Sequence, residues 1–271
     1  MTLDDGREVV VKVRQAAARI QACEAVHRHL WSAGFPCARL LAGPLEEDGR
    51  CVTVEELVRP APSETGMAAD VTDSAAGLAR LVTQASSMGP LPALDPPPPW
   101  VWWDHRQEGP WPIPDDRPED LNAHPGPAWL DEVGRRVRER LRAYRLPPVI
   151  GHGDWEAQNV LWNGGRLHVV HDWDSVVSLP EAAVAGAAAG VFAVVGGVPG
   201  APTVRQTAAF VDAYERARGL SWSRDDREVC WAAGLWVRAF NAKKASLDPG
   251  GDAVAAGFRE EALERLRRSG A

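Results

Sequence analysis

The run Val149-Ile150-Gly151-His152-Gly153-Asp154-Trp155-Glu156-Ala157-Gln158-Asn159, followed by a segment ending in His171-Asp172-Trp173-Asp174, constrains this chain more than any other stretch. Val160-Leu161-Trp162-Asn163 and Arg166-Leu167-His168-Val169-Val170-His171 flank Gly164-Gly165, and a Gly-Gly pair between two apolar runs signals a tight β-hairpin. Pairing Asn163 with Arg166 sets Asn159 opposite Val170, so Asn159 and Asp172 point to one face across a diagonal of the ladder. Such a diagonal spans about 7–8 Å between α-carbons, and an oxygen from each side chain could reach one hard cation at ~2.1 Å. Asp154, five residues before Asn159, falls at the tight end of the loop. A carboxylate there could orient a substrate hydroxyl and accept its proton. An isolated His-Gly-Asp is common in turns, where Asp accepts backbone N–H bonds and Gly supplies a permissive dihedral. The coupling of that tripeptide to the Asn spacing, the hairpin and Asp-Trp is far rarer by chance, and it favours a functional role.

This is also the order in which a kinase catalytic loop presents a base, one metal ligand and a second metal ligand. The sequence resembles the aminoglycoside phosphotransferase and choline kinase-like group, small-molecule relatives of the protein kinase fold. The resemblance is most specific over Gly151 to Asp174 and weaker over Glu8 to Pro60; past Pro180 it amounts to helical character. It implies an α+β, two-lobed fold: a small β-rich, nucleotide-binding lobe over residues 1–60 and a mainly helical lobe over 61–271 that carries the catalytic loop, metal site and acceptor site. It further implies Asp154 as catalytic base, Asn159 and Asp172 as Mg²⁺ ligands, and His152 as a brace of the loop. The backbone from Glu56 to Val58 would meet the nucleotide base, and Asp174, Trp155 and Glu156 are candidates on the metal or acceptor side. The family usually places a further Asp after a Pro downstream of Asp-Trp; the corresponding Leu179-Pro180-Glu181-Ala182-Ala183-Val184 lacks it.

Upstream, Glu8 to Val13 alternates as a strand should, with Lys12 on the face opposite Val9, Val11 and Val13. Gln15 to Trp31 is helical, with Ile20, Cys23, Val26 and Leu30 in one stripe and Glu24 offset from it. A strand Lys followed by a helix Glu is the pairing kinase-like folds use to hold nucleotide phosphates, so Lys12 with Glu24 is the expected pair. Leu45 to Gly49 predicts a turn, Cys51 to Val54 a strand, and Pro60 with Pro62 a hinge between lobes. A kinase-like small lobe normally opens with two strands and a Gly-rich loop, yet eleven residues precede Lys12 and Gly6 is their sole glycine. A start downstream of the true one, a minimal lobe holding phosphates by Lys12 and metal alone, and a loss of turnover each account for this.

Further helices are expected over Val71–Met88, Pro127–Tyr144, Glu181–Val195, Val204–Arg218, Arg227–Leu247 and Ala253–Arg268. Trp100, Trp102, Trp103 and Trp111 follow a proline-rich segment; they could stack on a ligand, though packing of an insertion explains them better. Asp104, Glu108, Asp115 and Asp116 nearby would suit amino groups, or form a solvated acidic loop. Asn241, Lys243 and Lys244 are acceptor-side candidates, with a solvent face as the plainer reading. The net charge of −7 argues against a nucleic-acid footprint. Four scattered cysteines, no leader pattern and no ~18-residue apolar run fit a cytoplasmic protein with reduced thiols, with no membrane partner. The leading expectation is a Mg²⁺-dependent enzyme that moves the γ-phosphoryl of ATP or GTP to a hydroxyl of a small molecule such as an aminoglycoside or an amino or sugar alcohol. The alternatives are a catalytically impaired nucleotide- or ligand-binding relative, and a metal hydrolase built from His152, Asp154, His168, His171 and Asp172.

Overall fold

In a computed structural model of the chain, residues 1–59, 70–124, 126–195 and 198–271 are described. The lobe boundary expected at residues 60 and 61, with Pro60 and Pro62 as its hinge, lies outside them.

Three antiparallel strands in the order β1-β3-β2 build the small lobe: β1 (Val9–Gln15), β2 (Leu40–Glu47) and β3 (Arg50–Glu56), with α1 (Ala18–Ser32) between β1 and β2. Period-two alternation turns Val10, Lys12 and Arg14 inward and leaves Val11 and Val13 on the outer face, 40% and 55% exposed. The turn expected over Leu45–Gly49 narrows to Asp48-Gly49, because β2 continues to Glu47 and both turn residues take the positive φ that a two-residue hairpin loop requires. Helix α1 begins three residues later than its periodicity suggests and buries Cys23, Val26 and Leu30. Its apolar stripe meets the large lobe directly. His27 stacks on Trp173 with ring centroids 4.9 Å apart, and the Val170 N–H donates to the Pro36 carbonyl at 2.9 Å.

The large lobe comprises α2 (Val71–Ala85), α3 (Ala128–Ala143), the paired strands β4 (Pro148–His152) and β7 (Val176–Pro180), the hairpin β5 (Val160–Asn163) and β6 (Arg166–Val170), and then α4 (Glu181–Ala189), α5 (Val204–Arg218), α6 (Arg224–Ala245) and α7 (Gly251–Arg268). Helix α4 is buried from Ala182 to Ala189, and its small side chains admit α6 at backbone distance. A Cβ on Gly186 would lie 2.2 Å from the Cys230 carbonyl oxygen. The helix expected to run to Val195 stops at Ala189, where Gly190 packs on Gly234 of α6 and glycine's low helix propensity ends the element. Among the described residues no helix is long and apolar enough to cross a membrane.

The tryptophan-rich insertion packs. Trp111 is fully buried against Trp236, at 5.4 Å between centroids, and Trp103 meets the same ring edge-on at 6.5 Å. The ends of α5 and α6 show why these helices begin where they do: Thr203 with Gln206, and Ser223 with Asp226, each form a reciprocal capping box.

His27 gives the small lobe a pH dependence. Its ring is 1% exposed, Nε2 bonds the Ala38 carbonyl at 2.7 Å, and burial depresses its pKa from 6.5 to about 4. A depressed imidazole contributes stability that is fully present above pH 6.5 and is lost as pH falls through about 4. Replacing His27 with Phe keeps the stacking on Trp173 and removes this titration. Denaturant unfolding between pH 6.5 and 4 is therefore expected to show a shallower loss of stability in the variant than in wild type, the difference amounting to roughly 3 kcal/mol.

Candidate active site

The hairpin register differs by one residue from the simple count. Asn163 does face Arg166, but a β-bulge between Leu161 and Trp162 sets Val160 opposite Val170, and the His171 N–H donates to the Asn159 carbonyl at 2.8 Å. A bulge shifts every later pair, which the Gly-Gly turn alone does not reveal. Asp172 is therefore not aimed by strand alternation. It leaves the strand in the left-handed region, φ 57°, a conformation Asp tolerates better than most residues. The outcome is still a convergence. The Asn159 amide donates from Nδ2 to Asp154 Oδ2 at 2.7 Å and to the Asp154 carbonyl at 3.1 Å. The Asp172 charge lies near enough to act on Asp154. Burial pushes the Asp154 carboxyl above the usual carboxylate range; the His152 imidazole opposes this, Asp172 and Asp115 add to it, and the Asn159 amide opposes it.

The loop is held from beneath. His152 is fully buried, its Nε2 bonds the His171 carbonyl at 3.0 Å and its Nδ1 accepts the Asp154 N–H at 3.2 Å. Those bonds make Nε2 the protonated nitrogen. Gly153 donates to the Ser175 carbonyl at 2.7 Å and accepts from the Trp100 indole at 2.9 Å. Trp100 was visible in the sequence only as one of a dense group of tryptophans, and nothing in the spacing singled it out. Trp155, an acceptor-side candidate, is instead fully buried, and its indole N–H donates to Ser74 of α2. It anchors the loop because Gly77, one turn further along α2, leaves room for the ring.

The phosphate-side pair expected between Lys12 and Glu24 is not formed. Lys12 Nζ lies 2.9 Å from Glu55 Oε1, and the cation beside Glu24 is Arg14, with Nη1 3.5 Å from Glu24 Oε1. Both cations share the inner face of β1. Arg14 is nearer the short connection into α1 and carries the longer side chain, so it is the one that reaches. The same guanidinium bonds Thr53 Oγ1 at 2.8 Å and Asp174 Oδ2. The Glu56 N–H is already used by the Arg39 carbonyl at 2.9 Å, inside the small lobe, and the half-buried Val58 follows beyond the end of β3.

On the other side of Asp154, Glu156 lines two cavities. One, of about 240 Å³, is walled by Val71, Trp162, Phe192 and Val194; the other, of about 220 Å³, by Val191, Ala201, Arg238 and Asn241. Burial, with Asp154 adding, raises the Glu156 carboxyl to about 7 against the opposing charge of Lys244. Lys244 pairs with Asp116 at 2.6 Å, whereas Lys243 is wholly buried and pairs with Asp131 at 2.9 Å, so it faces neither acceptor nor solvent.

The donors that Asn159 and Asp172 offer are of the chemical type a divalent cation takes. The Nδ2 bonds of Asn159 turn its amide oxygen away from Asp154, Asp172 commits Oδ2 to the Ser175 hydroxyl at 2.6 Å and keeps Oδ1, and all the donors are hard oxygens. The hydrolase alternative finds no support: among the described residues no group of three or more His, Cys, Asp or Glu is arranged to hold a metal, and His168 Nε2 bonds the Arg59 carbonyl at 3.2 Å.

Comparison with known proteins bears on the whole chain. Among solved structures, the amicoumacin kinase hAmiN, in complex with AMP-PNP, Ca²⁺ and Ami, superposes with a TM-score of 0.65 at 12% identity, covering 97% of this chain and 84% of that one. A microcompartment-associated aminopropanol kinase superposes at 0.60 with 14% identity, over 97% and 83%. An aminoglycoside phosphotransferase from Alicyclobacillus acidocaldarius does so at 0.52 with 16% identity, over 99% and 86%. These likenesses establish the two-lobed kinase-like fold. No curated protein sequence matches. The profile of the phosphotransferase enzyme family, APH, matches residues 1–224, and the chain belongs to that family.

Proposed function

We propose that the protein transfers the γ-phosphoryl group of ATP or GTP to a hydroxyl of a small molecule, with residues 1–60 serving the nucleotide and 61–271 the catalytic loop and acceptor. The observation that carries this reading is the Asn159 amide bonded to the Asp154 carboxylate at the end of the braced loop, with Asp172, arriving from the end of β6, near enough for its charge to act on Asp154. The structures of relatives with AMP-PNP, one with Ca²⁺ and one with hygromycin B, support a nucleoside triphosphate donor, a divalent ion and a small-molecule acceptor.

In the reaction, Asp154 accepts the proton of the acceptor hydroxyl as that oxygen bonds the γ-phosphorus and the bond to the β-phosphate breaks, releasing the nucleoside diphosphate. Its raised pKa makes it a better base than an ordinary carboxylate. Asn159 and Asp172 would hold Mg²⁺, which when bound offsets the charge of the phosphates. Lys12, on the inner face of β1, would exchange its contact with Glu55 for a phosphate. Glu156, between its two cavities, is positioned to hydrogen-bond the acceptor. We place the enzyme in the cytoplasm, on the strength of its unpaired Cys23, Cys37, Cys51 and Cys230.

A thermal-shift titration with ATP or GTP tests the reading. At ~100 times the dissociation constant, nucleotide with Mg²⁺ should stabilise wild type by about 2.7 kcal/mol, and Asp172→Ala should lose the Mg²⁺-dependent part. Asp154→Ala should keep the shift and lose turnover by roughly 10²–10⁴-fold in a screen of hydroxyl acceptors. A shift in wild type without transfer to any acceptor would instead favour a binding protein. Asp154 should also weigh on the fold at neutral pH, because an acid raised by burial is destabilising once ionised. The apo form of Asp154→Asn is thus expected to melt a few degrees above wild type.

A further inference from the structure

Arg14, Glu24 and Asp174 make a set of contacts that phosphoryl transfer as described leaves unexplained. Glu24 is 3% exposed, Arg14 14% and Asp174 34%, so the arrangement linking β1 and α1 of the small lobe to the turn after Asp172 is dry at Glu24 and opens toward solvent at Asp174. One oxygen of each acid, Glu24 Oε2 and Asp174 Oδ1, is buried with no hydrogen-bond partner among the described residues. Arg14 is the cation that both carboxylates contact; His27 Nδ1 lies 3.9 Å from Glu24 Oε2, and the charges of Lys12 and Arg19 act on Glu24 and Asp174 without an ion pair, so loss of Arg14 costs more than loss of a surface pair. Asp174 is also fixed through its backbone: its carbonyl accepts from Arg19 Nη2 at 3.2 Å and from Cys23 Sγ at 3.7 Å, while Arg19 reaches the Val176 carbonyl at 2.5 Å.

From Asp174 the connection to the reacting groups is short. The neighbouring Ser175 donates its hydroxyl to Asp172 Oδ2 at 2.6 Å, and its carbonyl receives the Gly153 N–H at 2.7 Å, one residue from Asp154. We propose that Arg14 is a positioning residue: held by Glu24 and Thr53, it fixes the turn from Asp172 to Ser175 through Asp174 and so sets the free oxygen of Asp172 for the metal-nucleotide complex. The inference rests on the phosphotransferase reading. It also assigns Asp174 to holding the turn, not to the metal or acceptor, and it gives Glu24 a partner other than the β1 lysine.

The test compares Arg14→Met, Arg14→Lys, Asp174→Asn and the Arg14→Met/Asp174→Asn double variant, with Lys12→Met as the control that removes a cation from the same sheet face without touching Asp174. Two quantities are measured: the Mg²⁺ concentration that gives half of the ATP-induced thermal shift, and amide hydrogen exchange over residues 172–176 in metal-free protein. Arg14→Met and Asp174→Asn should each raise the Mg²⁺ half-point and speed that exchange about tenfold, with the double variant no worse than either single one and Arg14→Lys partly restored. Lys12→Met should weaken the shift at saturating Mg²⁺ and leave the exchange of 172–176 as in wild type. Unchanged half-point and exchange in Arg14→Met, or additive effects in the double variant, would overturn the inference. Should Arg14→Met not fold, Asp174→Asn and Arg14→Lys decide it by the same two readouts. Absence of any nucleotide shift in wild type would sink the phosphotransferase reading instead, while the exchange comparison would still judge whether Arg14 holds the turn.

Discussion

The indole of Trp173 is the contact on which the halves of the site depend. It is 1% exposed, donates to the Val170 carbonyl at 3.1 Å, stacks on His27 of α1, and receives the edges of Phe35 and His152. One ring thus touches the small lobe, the hairpin and the floor of the catalytic loop. Its immediate neighbours in sequence are Asp172, which must turn through positive φ, and Asp174, which Arg14 holds. Truncating a buried ring of this size to Ala costs on the order of 3–5 kcal/mol. The ring anchors a turn whose backbone and charges are unfavourable taken alone.

The same economy runs through the site. Burial raises the carboxyls of Asp154, Glu156 and Glu24, and in each case a neighbouring acid adds to the effect. Such groups weaken the fold where they ionise, and they are tolerated because the elements around them are rigid: α4 against α6 at backbone distance, and His152 and Trp155 sealed beneath the loop. The chemistry sits on the least comfortable residues, and the packing beneath supplies what they cost.

Much of the architecture is legible in the sequence. The helical stripes of α1, α2, α3, α5 and α6 lie within a few residues of their periodic signals, and Gly164-Gly165 is a turn because two glycines can both take positive φ. What is not legible is anything decided by reach. Periodicity places Lys12 and Arg14 on one face but cannot say which of them meets Glu24. The β-bulge after Leu161 and the left-handed Asp172 have offsetting effects, so a register wrong by one residue still brings Asn159 and Asp172 toward Asp154. Trp155 carries no mark of its burial; that depends on Gly77, which is remote in sequence and adjacent in space. The length of α4 misleads because apolar residues continue past Gly190 into a short strand.

Helix α1 shares one hydrophobic core with the large lobe: Cys23, Val26 and Leu30 pack in the same cluster as Trp173, Trp155 and Val160. A rigid swing of the whole small lobe would bring that apolar surface into water, at ~25 cal/mol for every Å² exposed. The three-stranded sheet is tied down as well, because Arg14 of β1 bonds Asp174 of the large lobe and Cys51 of β3 is wholly buried. A displacement of the small lobe would therefore have to unseat α1 from Trp173 or Arg14 from Asp174, unless it were confined to β2, the sheet edge farthest from β1.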